Sequence, residues 1–295
     1  MDGRRLSYGI RRIPYTCSKY GYLQRFTNRR LRKVEPLSEE EFKWFLTEVK
    51  KNFSLDLTGY KPHRVKRRTE VLIRKYGLKS FREYMDVLKK DETKRKEFID
   101  KMTINVTEFF RNPEKWWKLR DKYLPELLKN RNFKAWSAGC SSGEEPYSLA
   151  ILLEELKAPS TVKVKATDID VGVLNKARQG VYPKRNLVNV PEEYLRKYFV
   201  KLDDENYQVT QRLKSRVNFR FHNLLTDRFD TNHDLIICRN VVIYFELDVK
   251  EKLYERFANS LRPGGIIFIG STERIFNYKK IGLELIEPFF YRKVG

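Results

Sequence analysis

The sequence predicts an α/β fold, a mostly parallel sheet covered by helices on both faces, preceded by a small all-helical domain. Three observations predict it. Between Ser38 and Met102 apolar residues recur at helical spacing; from Phe133 onward short strand-like runs alternate with helical segments; and a glycine-rich bend joins the first of those strands to the helix after it. A chain of 295 residues suits two domains, and 41% hydrophobic content with 19 Phe, 17 Tyr and 4 Trp supplies a real core.

Residues 1–35 show neither period. They are basic and aromatic, broken by Gly9, Pro14 and Gly21, and residues 1–34 carry +9 of the net charge of +22. Without an apolar stretch they are no secretory signal. They read as a dispensable tail, a transit-like peptide or translation from an upstream start. Order begins at Ser38, which with Glu41 fits a capping box ahead of Phe42, Phe45, Leu46, Val49 and Phe53, one face of a helix. Pro62 opens a second helix that stops at Gly77 and turns Val65, Leu72 and Tyr76 inward. Arg64, Lys66, Arg67, Arg68, Arg74 and Lys75 cover the rest of it, by default a solvated face. Ser80 and Glu83 cap a third helix over Phe81, Tyr84 and Leu88, and Asp91–Met102 reads as a fourth. Residues 36–105 are therefore expected to be the helical domain and 106–295 the α/β domain.

In the second part, Asn112 and Pro113 start a helix through Leu127. Phe133–Ala138, Val162–Thr167, Val217–Phe221, Asp234–Cys238 and Ile266–Gly270 read as strands. Glu144–Leu156, Val171–Arg178 and Leu247–Leu261 read as helices, and Leu283–Glu287 with Phe289–Arg292 as a closing hairpin. The polar stretch 181–216 interrupts the alternation and is expected to be an inserted subdomain, with Tyr207-Gln208-Val209 as a short strand.

Several chemistries are disfavoured at once. Cys17, Cys140 and Cys238 are too scattered for a disulfide framework, and with only His63, His222 and His233 a protein-ligated metal is not expected. No apolar run reaches the roughly 18 residues of a membrane span. These features suggest a reduced, intracellular protein, and its positive charge favours an acidic partner.

The most informative segment is Trp136-Ser-Ala-Gly-Cys-Ser-Ser-Gly-Glu-Glu-Pro-Tyr-Ser148. Gly139, Ser141, Ser142 and Gly143 let backbone approach a ligand, at the carboxyl end of a strand where α/β sheets bind ligands. There is no P-loop lysine, and the helix opens with Glu144 and Glu145, which would repel a pyrophosphate but suit a cationic group. S-adenosylmethionine, with its sulfonium and amino group, is such a ligand. About 23 residues beyond Glu145, Asp168 ends the second strand, placed to accept hydrogen bonds from ribose hydroxyls. Alone, Glu145 also reads as a helix-start acid and Asp168 as a cap for the next helix. Together they point to an adenosine-containing cofactor.

Thr103-Ile-Asn-Val-Thr-Glu-Phe-Phe-Arg-Asn112, the Trp136–Ser148 segment, Ala166-Thr-Asp-Ile-Asp170 and Cys238-Arg-Asn-Val-Val-Ile-Tyr-Phe245 occur in this order, and with them the chain resembles the chemotaxis receptor glutamate methyltransferases of the CheR type over about residues 36–293. The resemblance implies a Rossmann-like S-adenosylmethionine-dependent methyltransferase domain with a small β-subdomain insert, behind an all-helical N-terminal domain. It implies glutamate O-methylation of the chemoreceptor cytoplasmic helical bundle, S-adenosylhomocysteine as the spent cofactor, and a cytoplasmic location without membrane insertion. By family position Asn105, Thr107 and Arg111 lie over the cofactor, Glu145 takes its amino group, Asp168 its ribose, and Asn223 and Leu224 its adenine. Arg239 and Asn240 line the methionine side. Tyr244 lies near the transferring methyl, with Arg111 as its partner in catalysis. Arg64, Arg67 and Arg68 would face the acidic receptor.

Taken singly, Asn105 and Thr107 also suit turn caps, Arg111 a surface position, Asn240 a turn and Tyr244 core packing; Phe109 and Phe110 read as packing residues. Some family members bind a receptor tether peptide at the edge of the insert, beside a glycine-containing turn. The glycine-free Leu202–Tyr207 loop here argues against tether binding. Two rival readings remain. One is a nucleic-acid methyltransferase, although Cys238-Arg-Asn-Val stands where such enzymes carry an Asn/Asp-Pro-Pro-Tyr-like motif, so no nucleic-acid partner is expected. The other is a non-catalytic receptor-binding module that keeps cofactor affinity.

Overall fold

The computed structural model describes residues 38–53, 55–103 and 107–295; the basic segment 1–35 and Asn105 lie outside them. Four helices come first: α1 (Glu39–Phe53), α2 (Pro62–Lys75), α3 (Phe81–Lys90) and α4 (Glu92–Thr103). Their apolar faces close on a core that includes Phe42, Phe45, Val49, Phe81, Tyr84, Leu88 and Phe98. Ser38 accepts the N–H groups of Glu40 (3.2 Å) and Glu41 (3.4 Å). The Glu41 carboxylate does not return to Ser38; it takes the Phe81 N–H at 3.2 Å and so ties α1 to the start of α3. Half of the expected capping box is thus spent on tertiary structure. Tyr76 is half-buried, its hydroxyl held by Glu97.

The expected long helix after Asn112 is α5 (Pro113–Lys118), a π-helical turn (Leu119–Tyr123) and α6 (Leu124–Leu127). Pro125 explains the widened turn: it has no N–H for the Asp121 carbonyl, and its ring would crowd that oxygen in a regular helix. The strands and helices β1 (Ala135–Ala138), α7 (Glu144–Glu155), β2 (Val164–Asp168) and α8 (Val171–Gln179) follow. The insert holds β3 (Val181–Pro183), α9 (Glu192–Tyr198), β4 (Phe199–Lys201), β5 (Asn206–Val209) and α10 (Gln211–Lys214). Then come β6 (Val217–Phe221), β7 (His233–Cys238), α11 (Leu247–Ser260), β8 (Leu261–Ile269), β9 (Leu283–Glu287) and β10 (Phe290–Lys293). The main sheet runs β6-β2-β1-β7-β8-β10-β9, parallel through β8 and antiparallel in its last two strands. The insert folds as a separate antiparallel sheet, β3-β5-β4. Its glycine-free turn is held by Asp203, which accepts from the Glu205 (2.8 Å) and Asn206 (2.7 Å) amides.

One apolar cluster, with α7 and the insert, covers one side of the main sheet; a second, with α11, covers the other. Strand order reverses between β1 and β7, so a crevice opens at the carboxyl ends of β2, β1 and β7, the usual ligand position of such sheets.

Candidate active site

The crevice is a cleft holding about 990 Å³ of space, open solvent side included. The bend after β1 forms its floor. Gly139 has φ +82°, and a Cβ there would meet Val241 at 2.4 Å. Gly143, at φ +96°, would meet Ala177 at 2.9 Å, so it is required by packing under the bend and not by ligand approach. Of the two acids that open α7, Glu144 turns away to Ser142 and Asn186 (2.8 Å). Glu145 lines the cleft and accepts from Ser137 Oγ at 2.7 Å. Part of Glu145 stays open to the cleft while protein surrounds the rest, and this burial raises its carboxyl to about 7 against the opposing pull of Arg239 and Arg111.

At the end of β2, Asp168 accepts the Ser141 N–H at 2.8 Å and the Asp170 N–H at 3.0 Å, and burial raises it to about 6. The cap of α8 is Asp170, which takes the Gly172 and Val173 amides. Asp168 is therefore not spent on capping and lines the cleft. Asn223 Oδ1 accepts the Leu225 N–H at 2.9 Å, and Arg256 of α11 holds the Leu224 carbonyl at 2.5 Å. These bonds fix the segment that presents Asn223 and Leu224.

The roof comes from the segment before α5. Phe109 and Phe110 are fully buried; their N–H groups bond the Asn186 carbonyl (3.0 Å) and Ser148 Oγ (2.9 Å). Arg239, at the end of β7, is 7% exposed and donates to the Arg111 carbonyl (2.8 Å) and Asn112 Oδ1 (2.7 Å). That grip holds Thr107 and Arg111 over the cleft. Asn240 takes a left-handed turn, φ 59°, and its N–H donates to Glu273 at 3.0 Å. Glu273 also accepts from Val241 (3.1 Å), Val242 (3.2 Å) and Gly270 (2.6 Å). Tyr244, half-buried, lines the cleft and stands outside the adjacent core, which instead takes Val242 and Phe245. Its carbonyl accepts the Lys61 N–H at 2.9 Å, and Arg68 lies over its ring at 5.6 Å.

Residues 105–286 match the family described as CheR methyltransferase, SAM binding domain, and residues 40–103 that described as CheR methyltransferase, all-alpha domain. The chain is 41% identical over 260 residues to a chemotaxis protein methyltransferase of Listeria innocua, spanning 88% of this chain and 99% of the relative. It is 36% identical over 271 residues to one of Borreliella burgdorferi, spanning 87% and 95%. The chain belongs to the CheR methyltransferase family.

The cofactor of this CheR-type methyltransferase is S-adenosylmethionine, and the residues present fit it. Glu145 offers an acceptor for an ammonium group, while among the described residues Arg239 Nε is a buried donor without a hydrogen-bond partner. Both line the cleft, and between them they offer partners for the ammonium and carboxylate of an amino acid. Asp168 offers acceptors to ribose hydroxyls, and Ile169, Leu224 and Leu225 supply apolar surface for a base.

Of the residues singled out in the sequence, Thr107, Arg111, Glu145, Asp168, Asn223, Leu224, Arg239, Asn240 and Tyr244 all line this one cleft. Arg64, Arg67 and Arg68, on α2, do not line it, although Arg68 lies over the ring of Tyr244, which does. Arg67 is exposed; Arg64 and Arg68 are half-buried, directed at the carbonyls of Ile243 (3.5 Å) and Met102 (3.0 Å). Three contributors escaped the sequence reading. Tyr60 reaches the cleft from ahead of α2, edge-on to Phe245 at 4.9 Å. His222 packs edge-on to Trp136 at 5.5 Å. Glu273 shapes the loop from Asn240 to Val242 and carried one available signal, an acid in Ser271-Thr272-Glu273 directly behind a buried strand. Among the described residues no helix is long and apolar enough to cross a membrane.

Proposed function

We propose that the chain methylates glutamate side chains on the cytoplasmic helical bundle of chemoreceptors, forming glutamate methyl esters. What carries this reading is membership of the family of chemotaxis protein methyltransferases, together with a cleft whose thiol and imidazole are ill suited to deprotonate a neutral nucleophile. Three acids line the cleft: Glu145 and Asp168, which in this reading are taken up by the cofactor, and Glu108 beside Thr107 at the roof. Burial pushes the Cys140 thiol well above its usual value. It also lowers the His222 imidazole, which sits beside Asn223 at the end assigned to adenine. A glutamate carboxylate arrives already ionised and needs no base among these groups.

When bound, the cofactor supplies an electrophilic methyl carbon on a sulfonium. The chain has to align the acceptor oxygen and exclude water, and such positioning is worth several kcal/mol. Arg111 orients the incoming carboxylate from the roof. Burial raises the Tyr244 phenol, so it stays protonated and donates a hydrogen bond that sets the carboxylate's angle. Neither contact can grip the ground state too tightly without slowing transfer. Tyr60 and Phe245 close the space beside Tyr244 against water. In this reading residues 36–105 are the receptor-facing domain, with Arg67 on its outer face. Residues 106–295 are the methyltransferase domain. The 181–216 insert binds no tether peptide, leaving the receptor bundle as the protein partner.

The test is transfer of a radiolabelled methyl group to a receptor cytoplasmic fragment. Alkali-labile label is expected, as a methyl ester requires. Tyr244→Phe is expected to lower turnover about tenfold with cofactor affinity unchanged, the loss of one transition-state hydrogen bond. Arg111→Ala should lower turnover further. Alkali-stable label, or label that appears in RNA instead, overturns the reading.

A further inference from the structure

A second groove runs beside the cleft. The short helical turn Val242–Tyr244 divides them: Tyr244 lines the cleft, Ile243 the groove. The groove's other walls are Leu247, Lys250 and Glu251 of α11, and Arg274 and Phe276 from the segment after β8. Leu247 is 62% exposed and Phe276 is 73% exposed. Leu247 opens α11, a position where a leucine adds nothing to capping, and the Arg274 guanidinium lies over the Phe276 ring at 5.5 Å. Two large apolar side chains held open in one concavity mark an interaction surface.

The surrounding charge says what kind of partner fits. Lys250 and Arg274 line the groove with two acids, Glu251 and Glu273, of which Glu273 is taken up by the Asn240, Val241, Val242 and Gly270 amides; Arg64 approaches the edge through the Ile243 carbonyl at 3.5 Å. Burial, with the nearby charges of Lys61 and Arg64, lowers the Lys250 ammonium below its usual value. With Glu273 bound to amides, Lys250, Arg274 and Arg64 outnumber Glu251, and an apolar floor with that edge suits an amphipathic, acidic helix. Position narrows this further. The groove adjoins Tyr244 through Ile243, so a helix whose glutamate reaches Tyr244 and whose axis runs along α11 lays its next turns, about 5.4 Å each, over the groove.

We infer that this groove seats the turns of the substrate helix flanking the methyl-accepting glutamate, with apolar side chains between Leu247 and Phe276 and acidic ones against Lys250 and Arg274. The inference rests on the proposed function and adds to it a device that selects among glutamates: those with an apolar neighbour three or four residues away are favoured.

The experiment compares the full chain with Leu247→Ser, Phe276→Ser and the double variant, using labelled methyl transfer to a receptor cytoplasmic fragment. The double variant is expected to raise KM for the fragment about tenfold, the usual scale for losing two exposed apolar anchors. Its turnover at saturation, its affinity for S-adenosylhomocysteine and its melting temperature should stay at wild-type values. Lys250→Glu should raise KM in a way that added salt diminishes. An active wild type together with a double variant of unchanged KM overturns the groove alone. A wild type that transfers no methyl to the fragment overturns the groove and the proposed function together.

Discussion

The floor and the roof of the cleft are built by different means. On the floor, Glu145, Asp168 and Arg239 sit at strand ends or on the first turn of α7, fixed by hydrogen bonds to Ser137 of β1, to the Ser141 amide of the bend and to the Arg111 carbonyl respectively. The roof is assembled from parts distant in sequence: Thr107 and Arg111 from the segment before α5, Tyr60 from the helical part, Tyr244 from the loop after β7. Backbone contacts join these parts: Lys61 N–H to the Tyr244 carbonyl (2.9 Å), Glu246 N–H to the Gly59 carbonyl (3.1 Å) and an isolated bridge between Tyr60 and Phe245. A floor of this kind is preorganised for a constant ligand, whereas the roof joins two structural parts where, in the proposed function, the protein substrate enters.

Arg239 is the point where floor grips roof, so removing it should break the contrast most severely. Arg239→Ala leaves the Arg111 carbonyl and Asn112 Oδ1 without their donor and takes a compensating charge from Glu145. A loss of about 2–4 kcal/mol is expected, seen as a fall in melting temperature of roughly 5–10 °C. Cofactor affinity should fall with it, because Glu145 would then be protonated at neutral pH. A variant with wild-type melting and affinity would mean that floor and roof are independent.

The next effect sharpens the description of the floor. Glu145 titrates near 7 in the ligand-free protein, raised from 4.5. A cationic ligand beside it favours the carboxylate and must displace a proton below that value. Affinity for S-adenosylhomocysteine is therefore expected to be level above about pH 8 and to fall towards tenfold per unit below pH 7. Calorimetry in two buffers of different ionisation heat should detect the released proton, and Glu145→Gln should abolish the dependence. For the ligand-free fold the sign is opposite. A raised carboxyl adds stability that is full below pH 4.5 and is lost as pH rises through 7.

The floor was legible in the sequence for a physical reason. Glu145 and Asp168 follow strands at fixed offsets, so a strand–turn–helix pattern places them without knowledge of any other contact. The same pattern let Asp168 pass for a helix cap, since Asp168 and Asp170 differ only in which one turns back to the α8 amides. The roof was legible only by likeness to the family. Nothing in local periodicity brings Tyr60 to Phe245, or Glu273 to an amide 33 residues away. Gly143 was read as room for a ligand because packing against Ala177 across the bend leaves no mark in sequence.

The smallest predicted effect separates two adjacent arginines that periodicity places on one basic face. Arg67 is exposed, whereas Arg68 reaches back to the Met102 carbonyl and over the Tyr244 ring, and burial lowers its guanidinium. Arg67→Ala removes one solvated charge, so KM for a receptor fragment should rise only about two- to threefold and recover with added salt. Arg68→Ala instead loosens the support of Tyr244. Its defect should appear in turnover and persist at high salt, because a donor held by stacking and a backbone carbonyl is little screened. If Arg68→Ala changed only KM, and salt erased the change, Arg68 would belong with Arg67 on the docking face and the roof would rest on its backbone contacts alone.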